Sequence, residues 1–443
     1  MKKIRNMFES DFLKLLFAFV AAAFLIAAVC MPDRSGMLSG FLQILSQPCK
    51  VTTNYFSVGG FSATFLNMGL VALIMVVLFH VTKTKVNNVS TLAFFLTLGF
   101  CSWGIHVLNM WFTMLGVVIS NFIKKEKFYA NVNAMLFSTG VAPIISDLLV
   151  RYPHAETIGF NLLGVVLAVA VGIIVGIIVS AGLPHSPNVH KGFNLYSAAL
   201  PVGMSMFFLN GMLYKVMGVE LPGATGDMAV GSWANTNIFC IVLFVLCIVL
   251  ALIMGAGKDY WNLLKNREQV NNVSGTCGNA VMLMNVGVYG LFILAYYNLV
   301  GAAFNGVTFG LIFCMLCTCN SGSRPTNVWP IMLGYVVAST VSGWIAPLLG
   351  GNFSLAVNAQ AILVGLCYAN GLSPICDKYG WHYGFLAAMI HYTVVTLVPG
   401  IHGGFCLYNG GFTGIFVCII LIPVLEKYCK TKEERKLAKT NAQ

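Results

Sequence analysis

The sequence predicts an all-α integral membrane protein made of two inverted repeats of about seven hydrophobic segments each, with short or broken third and fourth segments. Three observations predict it. Of the 443 residues, 58% are hydrophobic and only 9% charged, where a soluble domain carries about 25% charged residues. Sliding the chain by 218 residues lays Gly60, Asn67, Gly69, Phe95, Asn109, Trp111, Met114, Leu115 and Gly116 onto Gly278, Asn285, Gly287, Phe313, Asn327, Trp329, Met332, Leu333 and Gly334 without a gap. Beyond that stretch the register slips but the motifs keep their order. Gly140-Val-Ala-Pro143-Ile144 answers Gly371-Leu-Ser-Pro374-Ile375, and His190-x-Gly-Phe-x-Leu-Tyr196 answers His402-x-Gly-Phe-x-Leu-Tyr408. The recurrences mark an internal duplication, with residues 1–217 and 218–426 as the repeats and 427–443 as a basic tail.

Apolar runs measured against a hydrocarbon core of about 30 Å set the elements in order. The first half gives segments near 12–31, 57–81, 89–101, 103–122, 131–149, 157–182 and 193–214. The second gives 233–256, 279–299, 307–319, 325–347, 356–375, 382–400 and 405–425. The opening run, Phe12 to Cys30, follows Lys2, Lys3 and Arg5 as a signal sequence would, yet Ala27-Ala-Val-Cys30 puts valine where cleavage needs a small residue. It reads as a retained first span. The stretch Asn305 to Gly334 organises the second half as a short apolar helix, the polar break Asn320-Ser-Gly-Ser-Arg-Pro325, and a second helix. Lipid tolerates neither exposed backbone nor arginine, so the break is expected to line protein or a water-filled cavity. If the third and fourth segments are instead re-entrant hairpins, roughly 10 to 12 full spans remain with the same parity.

Seven is odd, so the second repeat is expected to enter the membrane upside down. With the N-terminus inside, 20 of the 25 Lys and Arg fall on the cytoplasmic side, against Arg34, Lys50, Arg151 and Lys215 outside and Arg324 at the break. That asymmetry follows the positive-inside rule and predicts a cytoplasmic (inner) membrane protein with both termini cytoplasmic. The net charge of +11 is scattered over loops and termini, which argues against nucleic acid as a partner.

Few residues offer chemistry. Cys30 and Cys49 flank one outside loop and could pair, and Cys314-x-x-Cys317-x-Cys319 lies in an apolar helix without nearby His, Asp or Glu. Packing is expected there, not metal. No Gly-rich phosphate loop, Ser-His-Asp order or paired carboxylate appears at useful spacing, so neither an enzyme nor a cofactor is expected. Arg324, beside Ser321, Ser323, Thr326 and Asn327, is the sharpest binding candidate, since a guanidinium at a helix start can hold an anion. A topological arginine is the plainer reading. Its first-repeat partner is His106, beside Ser102 and Asn109. Asn67 and Asn285 sit in the second segments, where they could pack helices or line a pathway. His190 and His402 could gate or shuttle protons, or simply mark a helix entry. Asp147 and Asp377 lie at segment ends and could likewise serve a gate or proton relay, and His80 and His391 read as packing residues.

The runs GFSATFLNMGLVALI, RPTNVWPIMLG and HGGFCLYNGGF together resemble a bacterial family of multi-pass membrane proteins, domain of unknown function 1576. The resemblance covers nearly the whole chain and implies membrane residence without an activity. Some members are expected to carry a Gly-Lys-His-Pro-like run where this chain reads Gly322-Ser-Arg-Pro325. The seven-plus-seven arrangement is similar to inverted-repeat transporters of the nucleobase and anion type, an analogy at the level of architecture.

These readings lead to a secondary carrier for a small polar or anionic solute, bound where the repeats meet. The alternatives are a passive channel or facilitator and a non-transporting scaffold or sensor. The expected partners are the lipid bilayer and the solute; coupling to Na+ or H+ and assembly into a homo-oligomer stay open.

Overall fold

The computed structural model describes residues 11–154, 158–266 and 268–441. Among the described residues every regular element is helical. Eight helices are long and apolar enough to cross a membrane: Phe12–Cys30, Tyr55–Val81, Val132–Val150, Leu162–His190, Trp233–Ile253, Asn279–Leu299, Pro325–Leu348 and Asn409–Thr440. Asn88–Phe100, Met110–Ile123 and Gly306–Ser321 are shorter apolar helices. Two further segments are interrupted. Ala199–Asn210 runs into a π-helical turn, and a 3-10 turn separates Gln360–Ala369 from Ser373–Lys378. On the peripheral helix Trp233–Ile253, Ile241, Val245 and Leu252 are exposed while Cys240, Phe244 and Cys247 are buried. Apolar faces of this kind imply a lipid bilayer around the chain.

The centre is formed by the two short helices. Each starts on an asparagine cap: Asn87 accepts from the amides of Val89 and Ser90, and Asn305, 218 residues on, accepts from Thr308 at 3.0 Å. Such caps satisfy amides left open by a helix start. The helices lie side by side in opposite directions. Ser102, past the end of the first, donates to the carbonyl of Gly306 at the start of the second (2.7 Å), and Asn320, at the end of the second, donates to Thr91 in the first (3.1 Å). Their backbones touch at Gly99 and Gly310, where a side chain on either would run into the other's carbonyl oxygen. Gly310→Ala is therefore expected to lower stability by about 3 kcal/mol or more, because the obstacle is backbone that cannot rotate away. The thermal midpoint in detergent reads this out, with Gly211→Ala, in open space at an ordinary helical φ, as the control for the glycine change.

The first helix packs into this centre. Phe17 stacks on Phe94 of the first short helix at 4.1 Å, and Phe24 meets Phe313 of the second at 5.3 Å. The seventh segment of each half, predicted to start as helix, begins instead as a buried loop. Leu195 N donates to the carbonyl of Gly371 (3.0 Å) and Leu407 N to that of Gly140 (2.9 Å), so each half's loop is tied to the other half. Glycine after the histidine makes the turn possible: Gly192 and Gly404 share a φ of 78°, a region side chains disfavour.

The loops gather at two ends. One end is basic: Lys191 pairs with Glu426, Lys378 lies over Phe193, and Arg324 reaches the carbonyl of Asn266. At the other, Lys50 donates to the carbonyl of Pro222, Val51 to Gly404, and Arg151 to Glu220. The expected Cys30–Cys49 pairing is corrected here. Both thiols are free, Cys30 exposed and Cys49 buried, with the Cys49 sulfur 3.1 Å from the Tyr55 hydroxyl. Cys314, Cys317 and Cys319 are buried packing residues.

Candidate functional site

Each short helix ends in a break whose carbonyls lack helical partners, and an asparagine on the preceding long helix takes them. Asn67 Nδ2 donates to Cys101 O (2.7 Å) and Ile105 O (2.9 Å); Asn285 Nδ2 donates to Cys319 O and Ser323 O, both at 2.9 Å. A second asparagine closes the turn. Asn109 accepts from the His106 amide and donates to Gly104 O, each at 3.0 Å. Asn327 accepts from the Arg324 amide (2.9 Å) and donates to Gly322 O (3.1 Å). Every one of these bonds repeats at the 218-residue spacing. In this structure the amide hydrogens of the four asparagines, expected as solute contacts, are bonded within the protein, where they hold the breaks in shape.

What fills the two breaks differs. Ser146 Oγ lies 3.0 Å from His106 Nε2 and accepts from Asn109 Nδ2 at 2.9 Å. In the second break the same place, counted from the paired Gly140 and Gly371, is Asp377. Its carboxylate accepts from Arg324 Nη2 (3.0 Å), Arg324 Nη1 (3.2 Å) and Asn327 Nδ2 (2.9 Å). A neutral His–Ser contact has become a buried Arg–Asp pair. Arg324 is 1% exposed and also donates to Asn266 O (2.7 Å) and Gly322 O (2.9 Å). A solute carboxylate at Arg324 would have to compete with Asp377 for this guanidinium.

The other expected residues scatter. Asp147 pairs with Arg151 Nη2 (2.8 Å) and accepts from the Tyr214 hydroxyl (2.6 Å), away from Asp377. Ser102 serves the helix crossing, and Ser323 Oγ sits 3.3 Å from Ser373 Oγ. Thr326 is exposed. His402 is fully buried, with neither ring nitrogen hydrogen-bonded, and packs on Phe412 at 5.1 Å. His391 is satisfied by Tyr335 (2.6 Å) and the Gly410 carbonyl (2.9 Å), while His80 is exposed at a helix end.

His190 and Ser321 do meet, across a cavity of about 410 Å³ at the basic end. Asn88 and Leu92 of the first short helix, Asn194 and Ser197 of the buried loop, and Gln269 and Asn271 also line it. His190 Nε2 lies 3.0 Å from Ser197 Oγ. The lining mixes these polar groups with apolar side chains such as Val89, Phe137 and Leu183, and carries no formally charged side chain. The repeat partners of this lining lie at the other end, where the space is filled. Ser321 is replaced by Trp103, His190 by His402 and Asn194 by Cys406, all fully buried. The Lys50 side chain lies against Gly404 with its ammonium 2.8 Å from Pro222 O, whereas nothing lies within 4 Å of where a side chain on Gly192 would point. Burial lowers the pKa of Lys50, opposed by the nearby Asp147 carboxylate.

Sequence reasoning missed Ser146, Asn194 and Lys50. Asn194 lies inside the His-x-Gly-Phe-x-Leu-Tyr motif; Lys50 carries no signal beyond being one of the four cations assigned to the outer side.

Fold and cavities together define a multi-pass, membrane-embedded helical protein with a duplicated core. It belongs to the family described as "Protein of unknown function (DUF1576)", which matches residues 33–215 and 253–427. No curated protein and no solved structure matches the chain.

Proposed function

We propose that the protein is a secondary transporter of the cytoplasmic membrane for a small polar solute, with its halves inverted across the bilayer and both termini cytoplasmic. The observation that carries this reading is the open cavity at the basic end against its filled counterpart at the other. A duplicated core with one mouth open and the other packed is what a carrier needs in order to alternate access around a central site. A continuously open channel needs both mouths open, and a scaffold needs neither. The excess of Lys and Arg at the open end supports a cytoplasmic placement of that end. The uncharged lining favours a solute held by hydrogen bonds, such as an amide or nucleobase, over an anion.

Ser321→Trp tests this by placing in the open mouth the residue that fills the closed one. A thermal-shift screen of amides, nucleobases, amino acids and small anions is expected to find a ligand that stabilises the wild type by about 2.7 kcal/mol at a hundredfold excess over Kd. Ser321→Trp is expected to abolish that shift while keeping the unliganded midpoint. A ligand that stabilises both proteins equally places the site elsewhere, and a folded protein that binds nothing in the screen favours the scaffold.

A further inference from the structure

We propose that a second cavity, around Arg324 at the basic end, binds a phosphate group, supplied by an anionic lipid headgroup or by free phosphate. This site is separate from the solute pathway and does not depend on it. The cavity has a volume of about 610 Å³ and lies where the helix Gly257–Lys265, the start of Pro325–Leu348 and the tail helix Lys432–Thr440 converge. Its lining brings together Lys265, Arg324, Lys432 and Arg435 against a single carboxylate, Asp377. Arg324 and Asp377 hold each other, so the excess positive charge falls at the rim.

Three further features point to an anion of more than one oxygen. Arg324 is the N-cap of a 24-residue helix, whose dipole favours negative charge at this end. Thr326, in that first turn, is exposed to the cavity. Glu434, on the same tail helix as Lys432 and Arg435, is held in a capping box, where its carboxylate accepts from the Thr431 amide at 2.7 Å. Arg435 donates to the carbonyl of Tyr379, which orients a guanidinium whose remaining donors suit a tetrahedral oxyanion. Cations reaching one space from three separate elements match a phosphate better than a planar carboxylate. Trp329 and Trp381 line the same cavity with rings stacked at 5.7 Å, 41% and 54% exposed. Indoles favour the membrane–water boundary, and basic pockets between helices on the cytoplasmic side suit anionic headgroups.

The test measures the thermal midpoint of the full-length protein in two arms. One titrates inorganic phosphate in detergent against sodium chloride of equal ionic strength; the other compares mixed micelles containing phosphatidylglycerol with phosphatidylcholine alone. A rise with phosphatidylglycerol only assigns the site to a headgroup, and a rise with both assigns it to free phosphate as well. Lys265→Gln with Arg435→Gln is expected to weaken the response at least tenfold. Thr326→Asp should abolish it while leaving the fold intact, since an acid in the first turn suits the helix and repels the phosphate. No rise in either arm, or variants that respond as the wild type does, overturns the proposal.

Discussion

Arg324→Ala is expected to destabilise the protein by about 3–5 kcal/mol, and Asp377→Ala by a similar amount, because each leaves a buried charge without its partner. The stronger expectation concerns the double variant. The first break holds the same asparagine lattice around His106 and Ser146, in which a histidine nitrogen meets a hydroxyl at 3.0 Å. Arg324→His combined with Asp377→Ser rebuilds that contact in a backbone already shaped by Asn285 and Asn327. Its stability should return to within about 1.5 kcal/mol of wild type, since removing both charges of a buried pair together is commonly near neutral. The coupling energy from the double-mutant cycle should exceed about 2 kcal/mol. Thermal midpoints in one detergent for the wild type, Arg324→His, Asp377→Ser and the double variant give the answer. Additive losses would mean that the guanidinium's bonds to the Asn266 and Gly322 carbonyls, not its ion pair, hold the second break.

That exchange also shows where sequence stopped being informative. The asparagine lattice was legible because Asn67, Asn109, Asn285 and Asn327 share one register with the glycines around them, and a duplicated polar residue in an apolar helix demands a duplicated partner. Arg324 was legible as unusual, but its partner lies beyond a change of register. Arg324 maps to His106 at a spacing of 218 residues, whereas Asp377 maps to Ser146 at 231. Only with both spacings in hand does it emerge that the second repeat acquires a cation and an anion together, the mark of a pair that folds onto itself. The filled and open mouths were hidden for a different reason. They depend on Lys50 lying along Gly404 and on Trp103 entering the space that Ser321 leaves empty, and packing of one loop over another is set by three-dimensional proximity that no local pattern encodes. The buried loops at His190 and His402 misled through composition, since Phe193, Leu195 and Tyr196 read as the start of a span. The backbone turns there because glycine at positive φ follows the histidine, and tertiary bonds to Gly371 and Gly140 replace helical ones.

Cysteines placed at Ser197 and at its counterpart Asn409 are expected to react with a membrane-impermeant maleimide at rates at least about tenfold apart, since reaction follows access to the thiolate. Ser197 lines the open cavity, whereas Asn409 is 2% exposed. The background is Cys30→Ser, Cys277→Ser and Cys429→Ser, which removes the cysteines that are not buried. In inside-out vesicles Ser197→Cys should label rapidly; in right-side-out vesicles it should be protected, as the proposed cytoplasmic placement of the basic end requires. Adding Lys50→Ala should speed labelling of Asn409→Cys from the outer side, since the ammonium bonded to Pro222 O at 2.8 Å no longer ties the loop across Gly404. A solute identified by thermal shift should then move the two rates in opposite directions, as a ligand that favours one of two conformations must. Equal rates at the two positions would remove the asymmetry on which the carrier reading stands. Rates that differ yet ignore the solute would leave a fixed cavity, the behaviour of a scaffold that never changes the side it opens to.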